Sequence, residues 1–143
     1  MSSHPAIVLM TNTDPAFYRT LGPYLARPDV HKYIEGVPWD EDTKTWLVLN
    51  GSDGQMRGFC AVNQTTTRTR RTLLESLYVL PDHRDSNAVD ILVQAAVREF
   101  GHDRDLHATV HHDIAPAYHK AGFHEVKKTT RMTHLVRPAT IRE

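Results

Sequence analysis

Glu75 lies four residues before Val79 in the run Leu73 to Leu80. This run reads as a strand, and period-two alternation puts Glu75 on one face with Leu73, Leu77 and Val79. A carboxylate on an otherwise apolar face is unusual. It is either a functional group or an edge residue facing the arginines of Arg68-Thr69-Arg70-Arg71. Those arginines suit phosphate, because guanidinium forks match its oxygens, and they equally suit a solvated hairpin tip. His107, His111 and His112 cluster near the end of a later strand, with His119 one or two helical turns further on. Zinc needs three or four ligands converging at about 2 Å. His107 and His111 share a strand face, but no partner cysteine or helical His-x-x-x-His pair completes such a set, so no metal is expected. Cys60, in Gly58-Phe59-Cys60-Ala61-Val62, reads as a packed thiol on an alternating strand rather than as a nucleophile. Trp39-Asp40-Glu41-Asp42 is either a solvated acidic loop or a wall that favours a cationic ligand.

The elements that position these groups fit one domain, spanning residues 1–143. At 143 residues the chain is long enough for a single core between a sheet and several helices. Apolar residues are 40% and charged residues 24%, the balance of a globular chain. Seventeen basic residues offset seventeen acidic ones, so no whole-molecule field recruits nucleic acid or membrane. No apolar run approaches the roughly 20 residues needed to cross a bilayer. The start, Met1-Ser2-Ser3-His4-Pro5-Ala6, lacks the features of a secretory signal. A single cysteine excludes an intrachain disulfide and fits a reducing compartment, so a cytoplasmic protein is expected.

Ala6 to Met10 reads as a first strand, followed by a helix with Asp14 as N-cap and Pro15 at its first position. Gly22-Pro23 kinks or stops that helix, and Pro28-Asp29 starts a second. Two strands flank Asn50-Gly51-Ser52-Asp53-Gly54, a hairpin signal because glycine and asparagine tolerate positive φ. A third strand returns over Leu73 to Leu80. Asn87 to Phe100 carries a helical apolar stripe that Gly101 ends. Leu106 to Val110 alternates as a strand, and Asp113 is expected to cap a short helix ending at Gly122. Phe123 to Val126 and Arg131 to Val136 make a last hairpin. The order is β-α-(α)-β-β-β-α-β-α-β-β, an α/β (α+β) chain with a mixed, mostly antiparallel central sheet and flanking helices.

This order, with Leu77-Tyr78-Val79-x-Pro81-x-x-Arg84 and then Ala117-Tyr118-x-x-x-Gly122-Phe123, resembles the GNAT acyltransferase superfamily from about Ala6 to Val136. The resemblance implies an acetyl-CoA-dependent N-acetyltransferase. Its pantetheine arm would lie along Leu77, Tyr78 and Val79, in a splay between that strand and the strand through Val110. An unpaired sheet edge can hold an extended ligand by main-chain hydrogen bonds. The pyrophosphate would sit on the helix opening near Asn87, contacted by the loop Arg84, Asp85, Ser86, Asn87, Ala88 and Val89. His112 stands where the family often has an asparagine touching cofactor.

By the same resemblance Glu75 would accept the amine's proton, commonly through water, and Tyr118 would protonate the leaving thiolate. The family's loop reads Gln/Arg-x-x-Gly-x-Gly/Ala, and this chain departs from it. Asn87 is expected to keep a left-handed turn, whereas Val89 brings a β-branched side chain towards the phosphates. Asp85 within about 5 Å of them would cost on the order of 1 to 3 kcal/mol. The acceptor is expected to be a small-molecule or protein-borne amine, and the chain a monomer or homodimer away from membranes. Two other readings stay open: a GNAT-fold binding or regulatory protein with reduced catalysis, and a modifier of a nucleic-acid- or protein-borne amine.

Overall fold

The computed structural model describes residues 6–65, 71–84 and 86–141. Arg68, Thr69 and Arg70 of the basic tip and Asp85 of the loop lie outside the described residues. Seven strands form one sheet: β1 (Ala6–Met10), β2 (Lys44–Asn50), β3 (Met56–Gln64), β4 (Thr72–Val79), β5 (Leu106–His111), β6 (His124–Lys128) and β7 (Met132–Arg137). Their spatial order is β1-β2-β3-β4-β5-β7-β6. All neighbours are antiparallel except β4 and β5, which run parallel. The chain joins these two through α4 (Ala88–Phe100), the crossover that a parallel pair requires. Among the described residues, no helix is long and apolar enough to cross a membrane.

Each face of the sheet has its own core. On one face α4 and α5 (Ala115–Lys120) cover Leu47, Leu49, Cys60, Val62, Leu74, Leu77 and Val79. On the other, three short helices, α1 (Phe17–Thr20), α2 (Gly22–Leu25) and α3 (Pro28–Ile34), supply Phe17, Leu21 and Val30 to a second core. That core packs on Trp46, Val48, Phe59 and Tyr78. The break between α1 and α2 falls at Leu21, and Gly22-Pro23, where the sequence predicts a kink or stop, open α2. Gly54 takes φ of 81° in the β2–β3 hairpin, the conformation for which glycine is suited.

Two expected caps are corrected. Helix α1 begins at Phe17 with Ala16 at its N-cap. The Asp14 carboxylate instead accepts the Thr11 amide at 2.6 Å, closing a turn before the helix. Asp113 likewise caps nothing: Ile114 is the N-cap of α5, and the amides there bond to the His111 and His112 carbonyls.

Candidate active site

The opening between β4 and β5 is prepared within β4. Ala61 of β3 pairs with Glu75 and Phe59 with Tyr78, so two β4 residues, Ser76 and Leu77, oppose Cys60 alone. Ser76 takes up the extra length with φ of 57°, in the left-handed region. The bulge reverses side-chain parity. Leu77 and Val79 therefore join Leu74 under α4, while Glu75, paired with Ala61, faces the side of α1 to α3. The expectation that Glu75 shares a face with Leu77 and Val79 is thus wrong, because simple alternation does not survive an extra residue.

β4 pairs with β5 only at Thr72↔Leu106 and Leu73↔His107, and past these the strands part. On the β3 side, Leu80 donates its amide to the Arg57 carbonyl at 2.9 Å. Successive residues of a strand point their polar groups to opposite edges. The main-chain groups of Leu77 and the amide of Val79 therefore face the opening, the Val79 carbonyl being taken by Arg84. A cavity of about 540 Å³ fills the space between the strands. Glu75, Ser76 and Leu77 line it from β4, His107 and His111 from β5, and Tyr118 from α5.

Tyr118 is fully buried, its ring edge-on to Phe123 with centroids 5.3 Å apart. Among the described residues its hydroxyl has no hydrogen-bond partner. Burial, then the Cys60 thiol and the Tyr33 phenol, push its pKa well above the ordinary tyrosine value, so the proton stays on in the free protein. Cys60 itself is buried, and burial likewise pushes its thiol up. Glu75 has a third of its side chain exposed and is held from two strands. Asn63 donates to its Oε1 at 2.9 Å, and the Lys44 ammonium lies 3.7 Å away. Lys44 is itself buried, donating to the Trp39 carbonyl at 2.6 Å and lying 3.4 Å from Glu41. Nothing in the strand pattern Lys44-Thr45-Trp46-Leu47 signals that this lysine turns inward.

The other expected site residues are placed less simply. The Arg84 side chain folds back on β4, donating from Nε to the Val79 carbonyl at 2.9 Å. Its guanidinium lies 4.5 Å from the Tyr33 ring centre and 5.5 Å from that of Tyr78. It therefore braces the loop against the strand. Asn87 has φ of −85°, so the left-handed turn expected there is absent. The Ser86 hydroxyl contacts both the His83 carbonyl and, at 3.3 Å, the Ala88 amide, and that local bonding sets the turn instead. Ala88 is buried, and Val89 packs against the core beneath α4. His112 is engaged by the β6–β7 hairpin, with Nδ1 2.7 Å from Thr133 Oγ1 and Nε2 3.0 Å from the Thr129 carbonyl. Among the described residues, no three His, Cys, Asp or Glu side chains are grouped to hold a metal.

One feature of the cleft mouth has no sequence signature. Glu35 ends α3 with φ of 56°. Its carboxylate meets the Arg131 guanidinium and lies 3.2 Å from His111 Nε2.

The sequence profile described as the acetyltransferase (GNAT) family matches residues 13–123, most of the chain. The chain belongs to the acetyltransferase (GNAT) family. It is an acyltransferase of the N-acetyl-transferring kind, and solved acetyltransferases share its fold. The spermidine N-acetyltransferase of Vibrio cholerae, solved with CoA and spermine, superposes with a TM-score of 0.67 at 11% identity over 91% of this chain and 94% of that one. An acetyltransferase from Thermus thermophilus gives 0.63 at 19% identity over 94% and 96%. An acyl-CoA N-acyltransferase from Pseudomonas aeruginosa gives 0.62 at 13% identity over 94% and 99%. No protein of curated function matches this acetyltransferase.

Proposed function

We propose that the protein moves an acetyl group from acetyl-CoA to a primary amine by direct attack in the β4–β5 cleft. The observation that carries the reading is the divergence of β4 from β5 after only two paired positions, with Tyr118 and Glu75 meeting the gap from opposite faces of the sheet. The pantetheine amides pair with the open main-chain groups of Leu77, as a strand added to an edge, while the Val79 carbonyl stays with Arg84. The Tyr78 ring backs that edge from the α3 side. The pyrophosphate rests at the start of α4, over Ser86, Asn87, Ala88 and Val89, where first-turn amides lack partners within the helix. Arg84 serves by fixing this loop to Val79 rather than by touching phosphate. His112 holds the β6–β7 turn, which borders the same cleft through Met132.

In the reaction the amine nitrogen attacks the thioester carbon, and the oxygen charge that develops is met by the open amide of Val79. Glu75 accepts the proton that the nitrogen loses, directly or through one water. The C–S bond then breaks, and the Tyr118 hydroxyl donates its proton to the departing sulfur. The raised pKa of Tyr118 does not oppose this step. The thiolate forms in the same dry cleft, where burial raises a thiol's pKa as well.

Acetyl-CoA should raise the melting temperature in a saturable way, since a ligand at a hundredfold its dissociation constant stabilises by about 2.7 kcal/mol. Glu75→Gln should keep that shift and lose roughly a hundredfold or more in kcat with any accepted amine. An absence of any shift at millimolar acetyl-CoA would sink the reading.

A further inference from the structure

We propose that the acceptor amine also carries an anionic group, a carboxylate or a phosphate, bound at the narrow end of the cleft by Arg71 and His107. The inference rests on the acetyl-transfer reading and names the class of acceptor for it.

Among the described residues the cleft has two carboxylates, and both already have cations. Glu75 is held by Lys44 and Asn63, and Glu35 by Arg131 and His111. The other charged or chargeable groups on its walls, apart from the two phenols, are Arg71, His107, Lys127 and His134. Among the described residues, neither Arg71 nor Lys127 has a carboxylate within ion-pair distance. His134 points Nδ1 at Thr109 Oγ1, 2.9 Å away. What remains uncompensated in the cleft is therefore positive.

Position selects Arg71 and His107 from this set. Arg71 immediately precedes β4, and His107 is paired with Leu73, so both stand where the cleft closes. The start of α4, the proposed phosphate seat, follows the far end of β4. A positive charge at the closed end therefore faces the acceptor rather than the cofactor phosphates. Glu75 lies two residues beyond Leu73, about 7 Å along the strand. A short amino acid with its nitrogen at Glu75 therefore places its anion beside His107, the partner of Leu73, and the long Arg71 side chain, rooted about 13 Å from Glu75 along the strand, lines the cleft there as well. The guanidinium fork suits either carboxylate or phosphate. Asp105 is the opposing charge felt at His107, and its carboxylate accepts the Ala139 amide at 2.7 Å.

The acidic run Trp39 to Asp42 gives no counter-argument, since none of it lines the cleft. Asp40 accepts from the Tyr18 hydroxyl, and Asp42 accepts from Asn12 at 2.8 Å.

The test measures CoA release with matched acceptors: β-alanine against β-alaninamide, and phosphoethanolamine against ethanolamine, with spermidine as a cationic control. At least one anionic member should exceed its neutral partner by about tenfold or more in kcat/KM. Which pair shows the preference identifies the anion. Arg71→Gln should bring that ratio towards one through KM, Arg71→Lys should restore part of it, and both should keep the thermal shift with acetyl-CoA. A normal acetyl-CoA shift with the amide, ethanolamine or spermidine preferred, or a ratio untouched by Arg71→Gln, overturns this proposal alone. A missing acetyl-CoA shift overturns the transfer reading beneath it.

Discussion

The carboxylate of Glu35, at the left-handed end of α3, accepts from the Arg131 guanidinium on the turn that leads into β7. Because α3 packs on β4 and β7 pairs with β5, this contact ties the two halves of the sheet together across the wide end of the gap. Arg131 is mostly exposed, so Arg131→Ala should cost no more than about 1 kcal/mol in chemical denaturation. Glu35→Ala and Glu35→Gly both remove the charge, but only glycine tolerates φ of 56° without strain. The alanine variant should be the less stable of the two by about 1 kcal/mol. Equal stabilities would show that the backbone at Glu35 is unstrained.

Tyr118→Phe removes a buried hydroxyl that has no hydrogen-bond partner among the described residues. Such a group destabilises the fold by about 1 to 3 kcal/mol, so the phenylalanine variant should melt at or above the wild-type temperature. Its kcat should fall by about tenfold to a thousandfold if the hydroxyl protonates the thiolate. Loss of stability together with loss of rate would instead indicate an ordinary packing role.

Gly58 lies where β3 presses on β4. A Cβ there would come 2.6 Å from the Tyr78 carbonyl oxygen and 3.2 Å from Val79 Cα, both backbone atoms with little room to move. Gly58→Ala should therefore cost about 1 to 3 kcal/mol and weaken acetyl-CoA binding, since the shifted segment is the one proposed to offer its edge to the cofactor. Isothermal titration would detect this, and unchanged affinity would separate the β3 side of the strand from its open edge.

Burial, then the nearby Arg71 charge, holds His107 below the usual histidine range, with Asp105 acting the other way. The unfolded chain takes up this proton near pH 6.5, the folded chain only at lower pH. Between the two values the unfolded state binds more protons. Stability should therefore drop as pH falls through that window and stay level above it. His107→Gln should flatten this part of the profile in urea denaturation between pH 5 and 8. A slope identical to wild type would assign it to the other histidines.

The order of elements is legible in the sequence because hydrophobic period, Gly22-Pro23, the Asn50 to Gly54 hairpin and Gly101 all act locally. The site is legible only where its parts are local too. Tyr118 follows from its motif, and Glu75 from being a charge in an apolar run. The partners of Glu75 cannot be read off, since Asn63 and Lys44 come from two other strands. Asp14 and Asp113 look like caps because their type and position fit. Short turn hydrogen bonds that no composition rule anticipates come first: the Thr11 amide occupies the Asp14 carboxylate, and the His111 and His112 carbonyls take the amides at the start of α5. Ser76 is the deepest gap, because serine carries no preference for the conformation it adopts here.

That serine makes the middle of β4 behave like a message with one extra letter. Deleting it would strike out the spare letter and leave the words on either side intact: Leu77 would follow Glu75 in plain alternation, with Leu77 and Val79 still under α4 and Tyr78 still on the α3 side. What would go is the local bend and twist that the extra residue gives the strand beside the point where it parts from β5. Single-residue deletion scanning along β4 should therefore find Ser76 the position best tolerated for folding, and a loss of acetyl transfer there would report the bend rather than the facing of side chains.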